Sequence, residues 1–230
     1  MLEVNRKEQK YRLNAAQVPA LRRRLAPFLL TDCHGGTEGY TVRSVYFDTL
    51  WDSDFLDKVD GCDCRQKIRL RIYGTGGPIK LELKQKSGGF QRKRSLTVTE
   101  EEARALMAGD WDLLRRRQEP LADTLYQKLL LGCYRPKCIV EYQRLALYAP
   151  ENDIRVTFDS NLRSSESNLD LFDLSAPLYP VEPPGAVTLE VKYNGFLFSN
   201  IKLALGSEIG SPISKSKYCR ARSISKHGGR

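Results

Sequence analysis

Apolar and polar residues alternate with a period of two along much of the chain. In Lys67-Ile68-Arg69-Leu70-Arg71-Ile72-Tyr73 the alternation predicts a strand with Lys67, Arg69 and Arg71 on one face and Ile68, Leu70 and Ile72 on the other. Residues 79–86 repeat the pattern, with Lys80, Glu82, Lys84 and Lys86 opposite Ile79, Leu81 and Leu83. A hairpin through Gly74, Gly76, Gly77 and Pro78 joins the two. After a Gly88-Gly89 turn, residues 91–99 place Lys93, Ser95 and Thr97 together, so three neighbouring strands share one cationic face. Further strands are expected at 41–48, at 139–148 with Tyr142 and Arg144 on one face, and where Arg155, Thr157 and Asp159 oppose Ile154, Val156 and Phe158. Another sets Thr188, Glu190 and Lys192 against Val187, Leu189 and Val191.

Helical spacing is rarer. Val18, Leu21, Leu25 and Phe28 mark a helix over about 14–29, opened by an Asn14/Gln17 capping box. A Thr99/Glu102 box opens a second before Ala103, Leu106 and Met107. A third spans about 120–131, stopped by Gly132, and a short one spans 200–205, ended by Gly206. The Pro-rich run 175–184 reads as a long connection. Many strands with few helices between them predict a mainly β, α+β fold: an antiparallel sheet or barrel with helices packed outside. No repeat or low-complexity linker divides the 230 residues, so one domain is expected over 1–222, with 223–230 a flexible basic tail.

Composition changes this picture in three ways. With 41% hydrophobic and 28% charged residues the chain can bury a core, which excludes general disorder. Without a long apolar run or a signal-like start, a cytoplasmic protein is expected, with any membrane contact indirect. The 37 Lys and Arg against 28 Asp and Glu give a net charge of +9, which favours an anionic partner. Only two histidines occur, His34 and His227, too few for a histidine metal cage or a Ser-His-Asp triad. The six cysteines contain no CxxC pair and read as isolated, buried, reduced thiols in preference to a zinc site at Cys62, Cys64 and Cys133.

A charged strand face is ordinarily just solvated, but a solvated face gains by mixing signs across neighbours, because like charges placed opposite one another destabilise a sheet. Here Lys67, Arg69, Arg71, Lys80, Lys84, Lys86, Lys93, Arg144 and Arg155 are expected to crowd together with few acids. If the sheet closes, the apolar faces meet outer helices and the cations line a tunnel suited to phosphate, since an arginine fork binds two oxygens at once. Glu82, Glu190 and Glu8 are then placed to hold a hard divalent cation such as Mg²⁺ or Mn²⁺. Walker-type, GxGxxG and kinase loops are lacking, and aromatics are not interleaved with the basic residues, so nucleic acid ranks below a compact phosphate ligand.

Nine motifs then occur in order: Arg6-x-Glu8-x-Lys10-Tyr11, Ser44-Val45-Tyr46-Phe47-Asp48-Thr49, Lys58-x-x-Gly61, Arg65-x-Lys67-x-Arg69-x-Arg71, Leu81-Glu82-x-Lys84, Tyr142-x-Arg144, Arg155-x-Thr157-Phe158-Asp159, Leu189-Glu190-Val191-Lys192-Tyr193 and Ser216-Lys217-Tyr218. Together they resemble the polyphosphate polymerase (VTC) domain of the triphosphate tunnel metalloenzyme, CYTH-like superfamily, over residues 6 to about 220. The resemblance implies an eight-stranded antiparallel β-barrel tunnel that transfers the γ-phosphate of ATP to a growing inorganic polyphosphate chain, with Mn²⁺ or Mg²⁺ as cofactor. It implies phosphate contacts from Lys10, Arg69, Arg71, Lys84, Lys93, Tyr142, Arg144, Arg155 and Lys217, less strongly from Lys215, and a metal at Glu190. Lys67, Lys86 and Lys192 share those faces and are counted with the phosphate-binding set; Arg69, Arg71, Lys84, Arg144 and Arg155 are the expected catalytic cations. Partners expected are ATP and polyphosphate, with no nucleic acid, no membrane span, and a membrane protein as a further partner. Arg6 stands where CYTH hydrolases carry the first acid of ExExK, which favours transfer over hydrolysis. The alternatives are an inorganic or nucleoside triphosphatase on the same fold, and a non-catalytic polyphosphate-binding module.

Overall fold

The computed structural model describes residues 6–32, 35–74, 76–88, 90–206 and 209–227, apart from the side chains of Arg6 and His227. Cys33, His34 and Gly89 therefore lie outside the described residues, as does the Arg6 side chain. By internal contacts the chain divides into two compact units, 1–41 with 142–162 and 182–215, and 42–141 with 163–181 and 216–230.

The first unit is built on β1 (Arg6–Asn14), β8 (Ile154–Ser165), β10 (Ala186–Asn194) and the C-terminal half of β7 (Arg135–Ala149). Their hydrogen-bonded order is β1-β10-β8-β7, and the two-residue β2 (Leu30–Thr31) adds to β7. Register pairs Lys10 with Glu190 and Glu190 with Thr157, so alternate residues of three strands line up across one face. The opposite face carries Leu13, Val156, Phe158, Val187, Leu189 and Val191, which form a core with Leu21 and Leu25 of α1 (Gln17–Leu25) and Ile201 of α6 (Ser199–Leu205). Each such leucine withdrawn from water contributes roughly 1.5–3 kcal/mol.

The second unit holds β3 (Tyr40–Asp48), β4 (Arg65–Tyr73), β5 (Ile79–Ser87) and β6 (Phe90–Val98) in the order β7-β3-β4-β5-β6, again antiparallel. β4 pairs with β5 and β5 with β6, as the expected hairpins require, with Ser87 opposite Phe90 at the end of the second pair. Val45, Phe47, Ile68, Leu70, Leu81, Leu83 and Leu96 pack against Leu106 of α3 (Glu100–Ala108), Leu114 of α4 (Asp112–Arg115) and Leu125 of α5 (Pro120–Leu131). The Thr99/Glu102 box is made in full, and Gly109 closes α3 at φ 91°, a left-handed turn that glycine adopts without strain.

Several elements differ from the sequence pattern. The Asn14/Gln17 box forms, each side chain bonding the other's backbone N–H at 3.0 and 2.9 Å, yet Asn14 ends β1 and the helix begins only at Gln17 and stops at Leu25. Two short helices were not visible in the pattern, α2 (Ser53–Val59) and α4. A third, α7 (Lys217–His227), occupies much of the segment expected as a flexible tail. It has the anchors to do so: Arg222 Nη2 and Lys226 Nζ reach Asp52 at 2.7 and 2.5 Å. Within the Pro-rich connection a two-residue strand, β9 (Tyr179–Pro180), pairs with β8.

Candidate active site

In the second unit the strand register stacks the charged positions into lateral rows. Tyr46, Arg69, Glu82 and Ser95 form one row, and Ser44, Arg71, Lys80 and Thr97 the next. Beyond Arg69 come Lys67, Lys84 and Lys93, three lysines directly opposite one another on adjacent strands, followed by Arg65, Lys86 and Gln91. The expected cationic face over three strands is therefore assembled by the pairing itself.

Glu82 is its only acid at these positions and is fully buried. Arg69 donates to it from Nε at 2.6 Å and approaches from Nη2 at 2.5 Å, and Lys93 pairs with its other oxygen. Burial works to raise the Glu82 pKa, but Arg69, Arg71 and Lys93 outweigh it and hold the carboxyl far below its ordinary range. Arg69 is fixed on its other side by Nη1 donating to the Tyr46 hydroxyl at 2.8 Å, and Arg71 donates from Nε to Ser44 Oγ at 2.9 Å. Lys67 Nζ bonds Ser216 Oγ at 2.6 Å, while Lys84 and Lys86 are half-buried and Lys217 opens α7. Glu82 thus stands as an ion-pair partner with both oxygens engaged, and the expectation that it joins Glu8 and Glu190 as a metal ligand is not what its contacts support.

The first unit is electrostatically different. Lys10 pairs with Glu8 at 2.7 Å, and Lys192 with Glu190 at 2.8 Å and Glu8 at 3.8 Å. Arg144 donates to Asp159 from Nε and Nη2 at 2.7 and 2.8 Å, lies 3.7 Å from Glu190, and passes over the buried Tyr142 ring. Burial opposes its charge, but Asp159 and Glu190 more than compensate and raise its pKa well above the ordinary value. Arg155 pairs with Asp32 and donates to the Tyr40 hydroxyl at 3.1 Å. Lys215 Nζ meets Glu182 at 2.5 Å and donates to Thr188 Oγ1 at 2.9 Å. The backbone fits tightly here too, since a Cβ at Gly39 would run into the Arg144 carbonyl oxygen.

The expectation of Arg144 and Arg155 crowded among cations is therefore corrected. Lys10, Arg144, Arg155, Lys192 and Lys215 face Glu8, Asp32, Asp159, Glu182 and Glu190, so in this set charges balance. Asp159 was legible by strand alternation. Asp32 and Glu182 come from connections that carry no periodic signal, and Ser44 and Tyr46 lay in a motif that gave them no role.

Among the described residues no three His, Cys, Asp or Glu side chains gather as an all-protein metal cage. Glu8 and Glu190 nevertheless converge on one ammonium, that of Lys192, and Mg²⁺-type sites use one or two carboxylates together with substrate phosphates. Those two residues fit such a group. Cys62 and Cys64 are exposed, and among the described cysteines Cys138 is the buried one. No helix among the described residues is long and apolar enough to cross a membrane.

The VTC domain family matches residues 5–226. No curated protein matches the chain. Solved structures do. A candidate adenylyl cyclase from Hippeastrum with a dominant triphosphatase activity aligns at 16% identity over 97% of this chain and 96% of that one, with a TM-score of 0.57. A candidate adenylate cyclase from Bacillus halodurans aligns at 14% identity over 94% and 98%, TM-score 0.53, and one from Vibrio parahaemolyticus at 12% over 96% and 99%, TM-score 0.50. At these identities the likeness is one of fold, and the mainly β antiparallel class expected from the sequence holds.

Proposed function

The chain belongs to the VTC domain family, and from that premise we propose that it is a metal-dependent phosphotransferase that extends inorganic polyphosphate with the γ-phosphate of ATP. The observation that carries the reading is the row Lys67, Lys84 and Lys93 beside Arg69 and Arg71, with Glu82 the one acid among them. Three lysines set opposite one another cost stability in an empty protein, and a chain of phosphates removes that cost.

Phosphoryl transfer asks a protein mainly to position groups and neutralise charge. Lys67, Lys84, Lys86 and Lys93 would bind successive phosphates as point charges, and Lys217 would add to them. Arg69 and Arg71, held in fixed orientation by Glu82, Tyr46 and Ser44, would meet the γ-phosphate oxygens. A terminal oxygen of the chain then attacks the γ-phosphorus, the bond to the β–γ bridging oxygen breaks, ADP leaves with that electron pair, and the chain is one phosphate longer. In the first unit Lys10, Arg144, Arg155, Lys192 and Lys215 would exchange part of their carboxylate contacts for phosphate, with Tyr142 supporting Arg144. Glu190 and Glu8 would hold Mn²⁺ or Mg²⁺, which supplies further neutralisation of phosphate oxygens when bound.

Hydrolysis differs only in the acceptor, and a triphosphatase is the reading that the Hippeastrum likeness brings forward. Incubation of the pure protein with ATP and Mn²⁺, followed by gel and phosphate analysis, separates them. Long polyphosphate with matching ADP is the expected product. Free phosphate alone would give the triphosphatase, and binding of polyphosphate without ATP turnover would give a non-catalytic module; either would overturn the transferase.

A further inference from the structure

Tyr218 is 1% exposed and sits one residue into α7, where three contacts meet. Its hydroxyl donates to Asp48 Oδ2 at 2.5 Å, in a carboxylate that also accepts from the backbone N–H groups of Thr49, Asp54 and Phe55 at 2.8, 2.9 and 3.0 Å. Its ring stacks on Tyr46, with centroids 5.0 Å apart and planes 19° from parallel, and meets Phe55 edge-on at 6.4 Å. Lys67 lies 6.0 Å from the ring centroid while bonding Ser216, two residues earlier.

We infer that Tyr218 is a positioning residue for the cationic face: its ring fixes the Tyr46 phenol, whose oxygen accepts from Arg69 and sets the orientation of that guanidinium. The chain of contact is continuous, from Asp48 through the Tyr218 hydroxyl and ring to Tyr46 and on to Arg69 Nη1 at 2.8 Å. Glu82 holds the Nε and Nη2 edge of Arg69, about which the rigid guanidinium plane could still tilt; Tyr46 takes the Nη1 arm and stops that tilt, and Tyr46 has the Tyr218 ring to rest on. Helix α7 is tied down independently, by Arg222 and Lys226 on Asp52, so Tyr218 is held from behind as well as by its own hydroxyl. Tyr46 also reports its own placement. Burial acts to raise its pKa, but Arg69, Arg71 and Lys67 outweigh it and bring the phenol below its ordinary 10.0.

The consequence for ligand binding rests on the proposed phosphate reading; the placement of Tyr46 does not. The test therefore uses two readouts on Tyr218→Leu and Tyr218→Phe. In ¹³Cζ-tyrosine NMR titrations, with the Tyr46 signal assigned by Tyr46→Phe, Tyr218→Leu should move the Tyr46 ionisation upward, because Arg69 is no longer held against it. Tyr218→Phe keeps the stack and should leave Tyr46 where it is while lowering the melting temperature, as Asp48 loses a donor. In tripolyphosphate calorimetry, Tyr218→Leu should weaken binding about tenfold in the Arg69 background and less than about twofold when Arg69 is already Ala, the non-additivity expected of a coupled pair. A Tyr46 that titrates alike in wild type and Tyr218→Leu overturns the positioning role. If Tyr218→Leu does not fold, Tyr218→Phe decides: a shifted Tyr46 there would assign the effect to the Asp48 tether and overturn the stack. Wild-type protein that ignores tripolyphosphate while Tyr46 still responds to Tyr218→Leu would sink the phosphate reading and leave the positioning role standing.

Discussion

Asp54 is buried at the start of α2, its oxygens 3.0 and 3.1 Å from the Tyr134 hydroxyl and its backbone N–H on the neighbouring carboxylate of Asp48. Burial, with Asp48 second, pushes its pKa from an ordinary 3.8 up to about 7. A folded-state value above the unfolded one means the stabilising contribution is complete below about pH 4 and is lost as pH rises through 7, an effect of order ~4 kcal/mol. Asp54→Asn, whose side-chain oxygen can still accept from Tyr134, should therefore raise the melting temperature at pH 8.5 and change it little at pH 4. Equal shifts at both pH values would contradict a raised Asp54 pKa. Glu82 shows the opposite case: equally buried, but with Arg69 and Lys93 against it, it stays charged, so removing Arg69 would leave a buried carboxylate short of a partner. The Glu82 environment follows from strand alternation, whereas that of Asp54 does not, because Tyr134 is brought to it across 80 residues.

At the scale of elements, what is periodic or locally capped was legible and what depends on distant partners was not. The alternation in 67–73 and 79–86 located β4 and β5, and the Thr99/Glu102 box located the start of α3. Thr99→Ala should cost about 1 kcal/mol, since both the N3 amide and the N-cap amide lose their side-chain acceptors or their geometry; a urea midpoint unchanged from wild type would contradict this. Helices α2 and α7 escaped because their sequences lack a long apolar period. Asp48 takes the N–H groups of Asp54 and Phe55 across the turn before α2, a cap outside the usual N-cap spacing, and Asp52 and Glu166 take Arg222 of α7 from far along the chain, a tertiary device. The site divides in the same way. Lys67, Lys84, Lys86 and Lys93 follow from alternation alone, whereas the carboxylates that neutralise Arg155 and Lys215 arrive from Asp32 and Glu182 in irregular connections.

Taken as a whole, the chain's +9 is not spread evenly. The first unit's site cations are matched by carboxylates, and the second unit concentrates an excess on β4, β5 and β6. On the proposed function, that asymmetry is what lets the β4–β6 face take a chain of phosphates. Lys84 tests it most directly, because it lies opposite Lys67 on one side and Lys93 on the other. The measurement is the melting temperature of wild type and Lys84→Gln with and without saturating tripolyphosphate. A ligand at 100 times its Kd stabilises by about 2.7 kcal/mol, enough to be read as a shift of several degrees. Lys84→Gln is expected to melt no lower than wild type in the absence of ligand, since one like charge leaves the row, and to lose most of the rise that tripolyphosphate gives. A variant that melts lower when empty yet keeps the full tripolyphosphate shift would contradict it, and would make the lysine row an ordinary solvated surface.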